Sequence, residues 1–174
     1  MTKINCVINL ATGRFIKGQE RLVNSLNCEV LTWVSESQVR SPLHKDNPYA
    51  FKIYAFEEAL RQGFKRVLWV DASIYAAKPL DTLWDSLDKG YMIQHAGHYT
   101  GTWTNDRTLN YFNITRDEAM KMPMFHGGFI ALDFDNIIAR DLYDQWADAM
   151  LNGMFKGEWN NTNKTESQDE RCEG

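Results

Sequence analysis

Residues 65–71 read KRVLWVD, four apolar side chains in a row closed by an acid. An apolar run of that length without alternation is the mark of a strand buried on both faces, and such strands sit in parallel sheets covered by helices on either side. Outward from it, strand and helix patterns alternate. Toward the N-terminus, INCVINLA (4–11) reads as a buried strand and FIKGQERLVNSL (15–26) as an amphipathic helix with Phe15, Ile16, Leu22, Val23 and Leu26 on its apolar face. EVLTWV (29–34) is a second strand, SESQVRSPLHKDNP (35–48) a loop, and YAFKIYAFEEALRQG (49–63) a helix that starts after Pro48 and stops at Gly63. Toward the C-terminus, LDTLWDSLDKG (80–90) predicts a short helix after Pro79 and YMIQHAG (91–97) a strand. HYTGTWTNDRTLNYFNITRDEAMKM (98–122) has no clean period and reads as a long loop with a short helix near its end, a length that in a compact domain tends to carry function. MFHGGFIALDF (124–134) is a strand with two glycines, and NIIARDLYDQWADAMLNG (136–153) an amphipathic helix. The fold class expected is α/β, a Rossmann-like, mostly parallel central sheet flanked by helices in a single domain, 1–159. Residues 160–174 form a polar tail with too little apolar content to bury itself, and its end at RCEG predicts a fragment of a longer protein.

At 174 residues the chain is long enough for one domain with a substantial core. A net charge of −4 supplies no field for a polyanion, so nucleic acid is not the expected partner, while a small phosphorylated ligand in a local pocket remains compatible. Aromatic residues make up 13%, including six Trp, a supply that serves both core packing and the stacking of sugars or bases. Cys6, Cys28 and Cys172 form neither an even set nor a C-x-x-C pair, so a reducing cytoplasm is the default expectation. The N-terminus makes a poor signal peptide, no window reaches membrane-spanning length, and the N-x-T sequons at Asn113, Asn160 and Asn163 are then chance matches.

In open α/β sheets, ligands lie in the crevice at the carboxyl ends of the strands, and Asp71 closes the most strongly buried strand candidate. An Asp in that place serves equally well as a turn former or helix cap. The surrounding order of motifs adds to this. NPYAFKIYAFEEALRQGF, then KRVLWVDASI, then a Pro-led helix, and farther on FHGGFIALDFDN (125–136), resembles the core of GT-A-fold glycosyltransferases, which use nucleotide sugars. The resemblance runs from about Lys3 to Gly153.

The resemblance implies a GT-A-like fold and a donor site. In that family a buried strand ends in Asp-x-Asp, whose carboxylates hold a divalent metal on the donor diphosphate; a hard cation such as Mn2+ or Mg2+ prefers oxygen ligands and offsets charge on the departing diphosphate. Here the motif is Asp71-Ala72-Ser73, with a serine in place of the second acid, so the implied metal ligands are Asp71 and Ser73, the latter through its hydroxyl or a bridging water. Residues one apart on a strand end point the same way, which would let both reach one ion. Ala11 and Thr12 in ATGRF match the nucleotide-binding edge. His126, Gly127 and Gly128 match the small-residue strand start that lines the donor-sugar pocket, although glycines there also suit a β-bulge. Lys52, one turn into its helix, would face the donor phosphates, where its own pattern suggests only a surface lysine. Asp169, with Glu170, is the acceptor-side candidate for a catalytic base, beside Asp71; as part of a polar tail both also read as solvated. The expected activity is transfer of a hexose or pentose from a UDP- or GDP-sugar to a glycan or glycoconjugate, with a non-catalytic sugar-nucleotide or glycan-binding module as the second reading.

Other motifs are incomplete. LATGRF lacks the further glycines of a nucleotidyltransferase loop, WVDAS carries Tyr75 where a phosphatase motif needs Thr, and HGG at 126–128 has no G-x-S-x-G elbow to serve. His95 and His98 have no third metal ligand at useful spacing.

Overall fold

The computed structural model describes residues 4–156. The stretch read as one domain gathers these residues into two compact units, 4–94 with 126–156, and 95–125.

The first unit is built on a five-stranded sheet of order β2-β1-β3-β5-β4. Its strands are β1 (Asn5–Leu10), β2 (Val30–Trp33), β3 (Arg66–Val70), β4 (Tyr91–Tyr99) and β5 (Pro123–Asp133), of which 91–94 and 126–133 belong to this unit. β1 pairs in parallel with β2 (Val7 opposite Val30) and with β3 (Ile8 opposite Trp69). β5 runs antiparallel to β3, with Leu132 opposite Val67 and Phe129 opposite Val70. The sheet is therefore mixed, parallel in the core. A strand buried on both faces carries the same apolar run in either direction, so its sequence holds no signal for direction.

The pleat divides the side chains between two layers. Cys6, Ile8, Leu10, Val67, Trp69, Ile130 and Leu132 pack on one face with Ala55, Phe56 and Ala59 of α2 (Ala50–Arg61) and Ala139 of α7 (Ile137–Leu151). Val7, Leu68, Val70 and Ala131 pack on the other with Leu22 of α1 (Ile16–Ser25) and Trp84 of α3 (Asp81–Asp85). Each fully buried aliphatic or aromatic side chain stabilises the unit by about 1.5–3 kcal/mol. Helices lie on both faces, as two successive parallel crossovers to opposite sides of β1 require.

Local chemistry sets the helix ends. α2 stops in a Schellman arrangement: the Phe64 N–H donates to the Ala59 carbonyl at 3.2 Å and Gly63 N–H to Leu60 at 2.9 Å, with Gly63 at φ +93°, where a Cβ would strain the turn. α7 is capped by Asn136, whose side chain accepts from the Ile138 N–H. The expected loop after β2 contains a short 3-10 turn, Glu36–Val39, closed by a capping box between Ser35 and Gln38.

The second unit, expected as a loop with one helix, holds three short ones: α4 (Thr100–Trp103), α5 (Asp106–Tyr111) and α6 (Arg116–Ala119). Arg116 ties them together, donating to the carbonyls of Gly101 and Thr104 and pairing with Asp106. No helix among the described residues is long and apolar enough to cross a membrane.

Candidate functional site

β1 sends its chain to β2 on one side and receives β3 on the other, so the strand order reverses between β1 and β3. In a sheet of this kind the crevice outside their carboxyl ends is the expected ligand position. Asp71 follows β3 there, and Ala11 and Thr12 follow β1 at the same edge. Ala11 is buried, its N–H donating to the Trp33 carbonyl at 3.0 Å, while Thr12 is partly exposed and its carbonyl accepts from Phe15.

Asp71 continues the face of Val67 and Trp69. Its Oδ1 accepts from the Trp69 indole N–H at 2.7 Å and from the Lys52 ammonium at 3.0 Å; Lys52 also donates to the Gly127 carbonyl at 2.7 Å. The Asp71 N–H donates to the Gly128 carbonyl at 2.9 Å, extending the β3–β5 pairing by one step. The surface-lysine reading of Lys52 is thereby corrected. On α2 it stands one turn before Phe56 and two before Ala59, in the buried stripe, and its side chain is 6% exposed against 41% for Asp71. The ammonium also sits 5.0 Å from the Trp69 ring centroid and 5.4 Å from that of Tyr49. Burial pushes the Lys52 pKa below its ordinary value, partly opposed by the Asp71 charge and hydrogen bond.

The two glycines of β5 leave this place open. A Cβ on Gly128 would stand 3.0 Å from Asp71 Oδ2, and one on Gly127 3.7 Å from Lys52 Nζ. Any larger residue at 128 would therefore cover the carboxylate that Gly128 leaves exposed. His126 is exposed, two residues before Gly128.

Ser73 is not placed as the pleat argument expects. β3 ends at Val70, and the Ile74 N–H donates to the Asp71 carbonyl at 3.0 Å, closing a turn over Ala72 and Ser73. Strand alternation thus stops at Asp71. Ser73 is exposed and Ala72 buried. Asp169, Glu170, Cys172, Asn160 and Asn163 lie outside the described residues.

Several residues of this site carry no signature in the motifs. α1 fastens the turn after β3 at three points. Gly18 packs so close to it that a Cβ would meet the Ala72 carbonyl oxygen at 2.3 Å; Arg21 donates to the Ser73 carbonyl at 2.9 Å and lies over the Tyr75 ring; Ser25 Oγ accepts from the Ala76 N–H at 2.9 Å. A lone glycine inside a helical pattern was the available signal for the first. Behind the site the buried Asn9 amide donates to the Val70 carbonyl at 2.6 Å and accepts from Gln19, which also donates to the Trp33 carbonyl. This network joins the ends of β1, β2 and β3.

These residues fit a divalent cation poorly. The one acid has its Oδ1 already on an ammonium and an indole, its motif partner lies in a turn, and among the described residues no group of three or more His, Cys, Asp and Glu comes together. The arrangement suits an acceptor role for Oδ2 toward a ligand hydroxyl or N–H. A depression of about 500 Å³ lies elsewhere, beside Phe64 and Lys65 at the amino end of β3, lined also by Phe134, Arg140 and Tyr143. It shares no residue with the Asp71 cluster.

No family model matches the chain, and no curated protein matches it.

Proposed function

We propose that the protein is a glycosyltransferase of GT-A type, binding a nucleotide sugar at the carboxyl ends of β1 and β3 and passing the sugar to a hydroxyl of a glycan or other acceptor. The observation that carries this reading is the open Asp71 carboxylate at the point where strand order reverses, held rigid by Lys52 and Trp69 and left uncovered by Gly127 and Gly128. In this reading Ala11 and Thr12 border the nucleotide, Asp71 accepts from a ribose or sugar hydroxyl, and His126 with the two glycines edges the donor sugar. Asp169 remains part of the proposal as the acceptor-side base, and the cytoplasmic setting read from the cysteines as its location.

A non-catalytic binding module of the same fold is the second reading. Ser73 favours it, since a serine in a surface turn supplies neither the second charge nor the strand geometry of the family motif.

The test is thermal unfolding with UDP, GDP and their common sugar conjugates, followed by a donor-hydrolysis assay. A ligand at one hundred times its Kd stabilises the native state by about 2.7 kcal/mol. A rise in Tm that Asp71→Asn removes, together with sugar release, is the expected result. A rise without release selects the binding module, and no rise with any of these compounds removes both readings.

A further inference from the structure

We infer that the Asp71 site takes its ligand without a divalent cation, because Lys52 is the cation that the fold already supplies there. The inference rests on the reading of Asp71 as the floor of a donor site, and departs from the metal-bridged diphosphate that the sequence resemblance implies.

The Lys52 ammonium is a resident of the site. It is buried, lies 3.0 Å from Asp71 Oδ1 and 2.7 Å from the Gly127 carbonyl, and stands close to the rings of Trp69 and Tyr49. With the Trp69 indole N–H also on Oδ1, both acceptor directions of that oxygen are used. A divalent ion wants several oxygen ligands and an excess of negative charge. It finds one carboxylate, already neutralised, and it would be repelled by the ammonium at the same carboxyl group. Ser73, the implied second ligand, belongs to the turn beyond the strand end.

Oδ2 is what remains for a ligand. It faces the space that Gly128 leaves empty, and as part of a neutralised pair it suits a neutral donor, a sugar or ribose hydroxyl, better than a second cation. Lys52 is then a positioning residue: it fixes the carboxylate and its charge state, and the ligand meets Asp71.

The experiment measures binding of UDP, GDP, UDP-glucose and GDP-mannose by calorimetry, once in EDTA and once in MnCl2, with electron paramagnetic resonance counting free Mn2+ against the protein. Expected for the wild type is a Kd that agrees in the two conditions within about twofold, and no Mn2+ taken up at this site. Lys52→Met, which removes the ammonium but keeps an apolar side chain of similar length, should bind more weakly in EDTA and regain affinity, about tenfold or more, on adding Mn2+. Wild-type binding that appears only with Mn2+ would overturn the inference and leave the donor-site reading standing. Absence of binding to all four compounds in both conditions would overturn that reading, and the inference with it. The wild-type comparison decides even where Lys52→Met fails to fold.

Discussion

Lys52 and Asp71 meet at 3.0 Å from opposite environments, the ammonium buried and the carboxylate open to solvent. The two are nineteen positions apart in sequence, on α2 and just past β3. That asymmetry makes their removal unequal. Asp71→Ala strands a buried ammonium with no counter-charge, leaving the Gly127 carbonyl as its hydrogen-bond acceptor between the Trp69 and Tyr49 rings, and should cost about 3 kcal/mol. Lys52→Met leaves a carboxylate that water and Trp69 can still serve, and should cost about 1 kcal/mol or less. Urea unfolding of the two variants and of the double variant measures the difference; equal costs would mean that burial does not control the pair. Asp71→Asn is accordingly the better probe of function, since its amide oxygen still accepts from Trp69 and Lys52.

Gly18 is placed against its own helix propensity. Alanine is favoured over glycine by about 1 kcal/mol inside a helix. Here its Cβ would meet the Ala72 carbonyl oxygen at 2.3 Å, and backbone has nowhere cheap to go. Overpacking of that kind costs about 1–3 kcal/mol, so Gly18→Ala should destabilise on balance. Calorimetric melting of the variant gives the sign directly.

Asn9 is fully buried, and its amide serves the Val70 carbonyl and Gln19 at once. Asn9→Ala takes the side-chain donor from the Val70 carbonyl and leaves the Gln19 amide with the Trp33 carbonyl but without its Asn9 side-chain acceptor, at about 1–3 kcal/mol for a group left unsatisfied. The same variant should loosen the residue that precedes Asp71, which faster amide exchange at 70–74 would reveal. Unchanged exchange there would separate the network from the site.

Tyr143 sets a limit at alkaline pH. Burial, with lesser contributions from Glu57, Asp144 and Tyr54, raises its hydroxyl well above the ordinary value of 10.0, and that hydroxyl donates to the Ile53 carbonyl at 3.2 Å. The folded state therefore holds this proton longer than the unfolded state. Its contribution is fully present below about pH 10 and is lost progressively as pH rises above that value. Compared with Tyr143→Phe, the wild type should be the more stable near neutral pH and should lose that margin above about pH 10, as denaturation at a series of pH values would show.

The elements were legible because their periods are plain. The buried run before Asp71, the Gly63 stop and the stripe of α7 each follow from local chemistry. The buried role of Lys52 was legible in principle, since it shares a helical stripe with Phe56 and Ala59, but a charge in a stripe looks like its edge until its partner is known. The turn over Ala72 and Ser73 was not legible, because nothing in DAS distinguishes a strand that continues from one that has ended. Nor were the contacts of Arg21 and Ser25, which depend on how α1 lies over the sheet. Two of the three short helices of 95–125, α4 and α5, escaped for a different reason: each is too brief for a period to show, whereas a short helix near the end of that stretch was expected and α6 lies there.

The direction of β5 has a topological consequence for the Asp71 cluster. A strand hydrogen-bonded in parallel to β3 would deliver its first residues beside Phe64 and Lys65, and its last beside Asp71. By entering from the opposite end, β5 brings Gly127 and Gly128 to the very edge where β1 and β3 finish, and sends Asp133 off to pair with Arg66. Reversal of one strand thus assembles two small residues from late in the chain with an acid and a lysine from its middle.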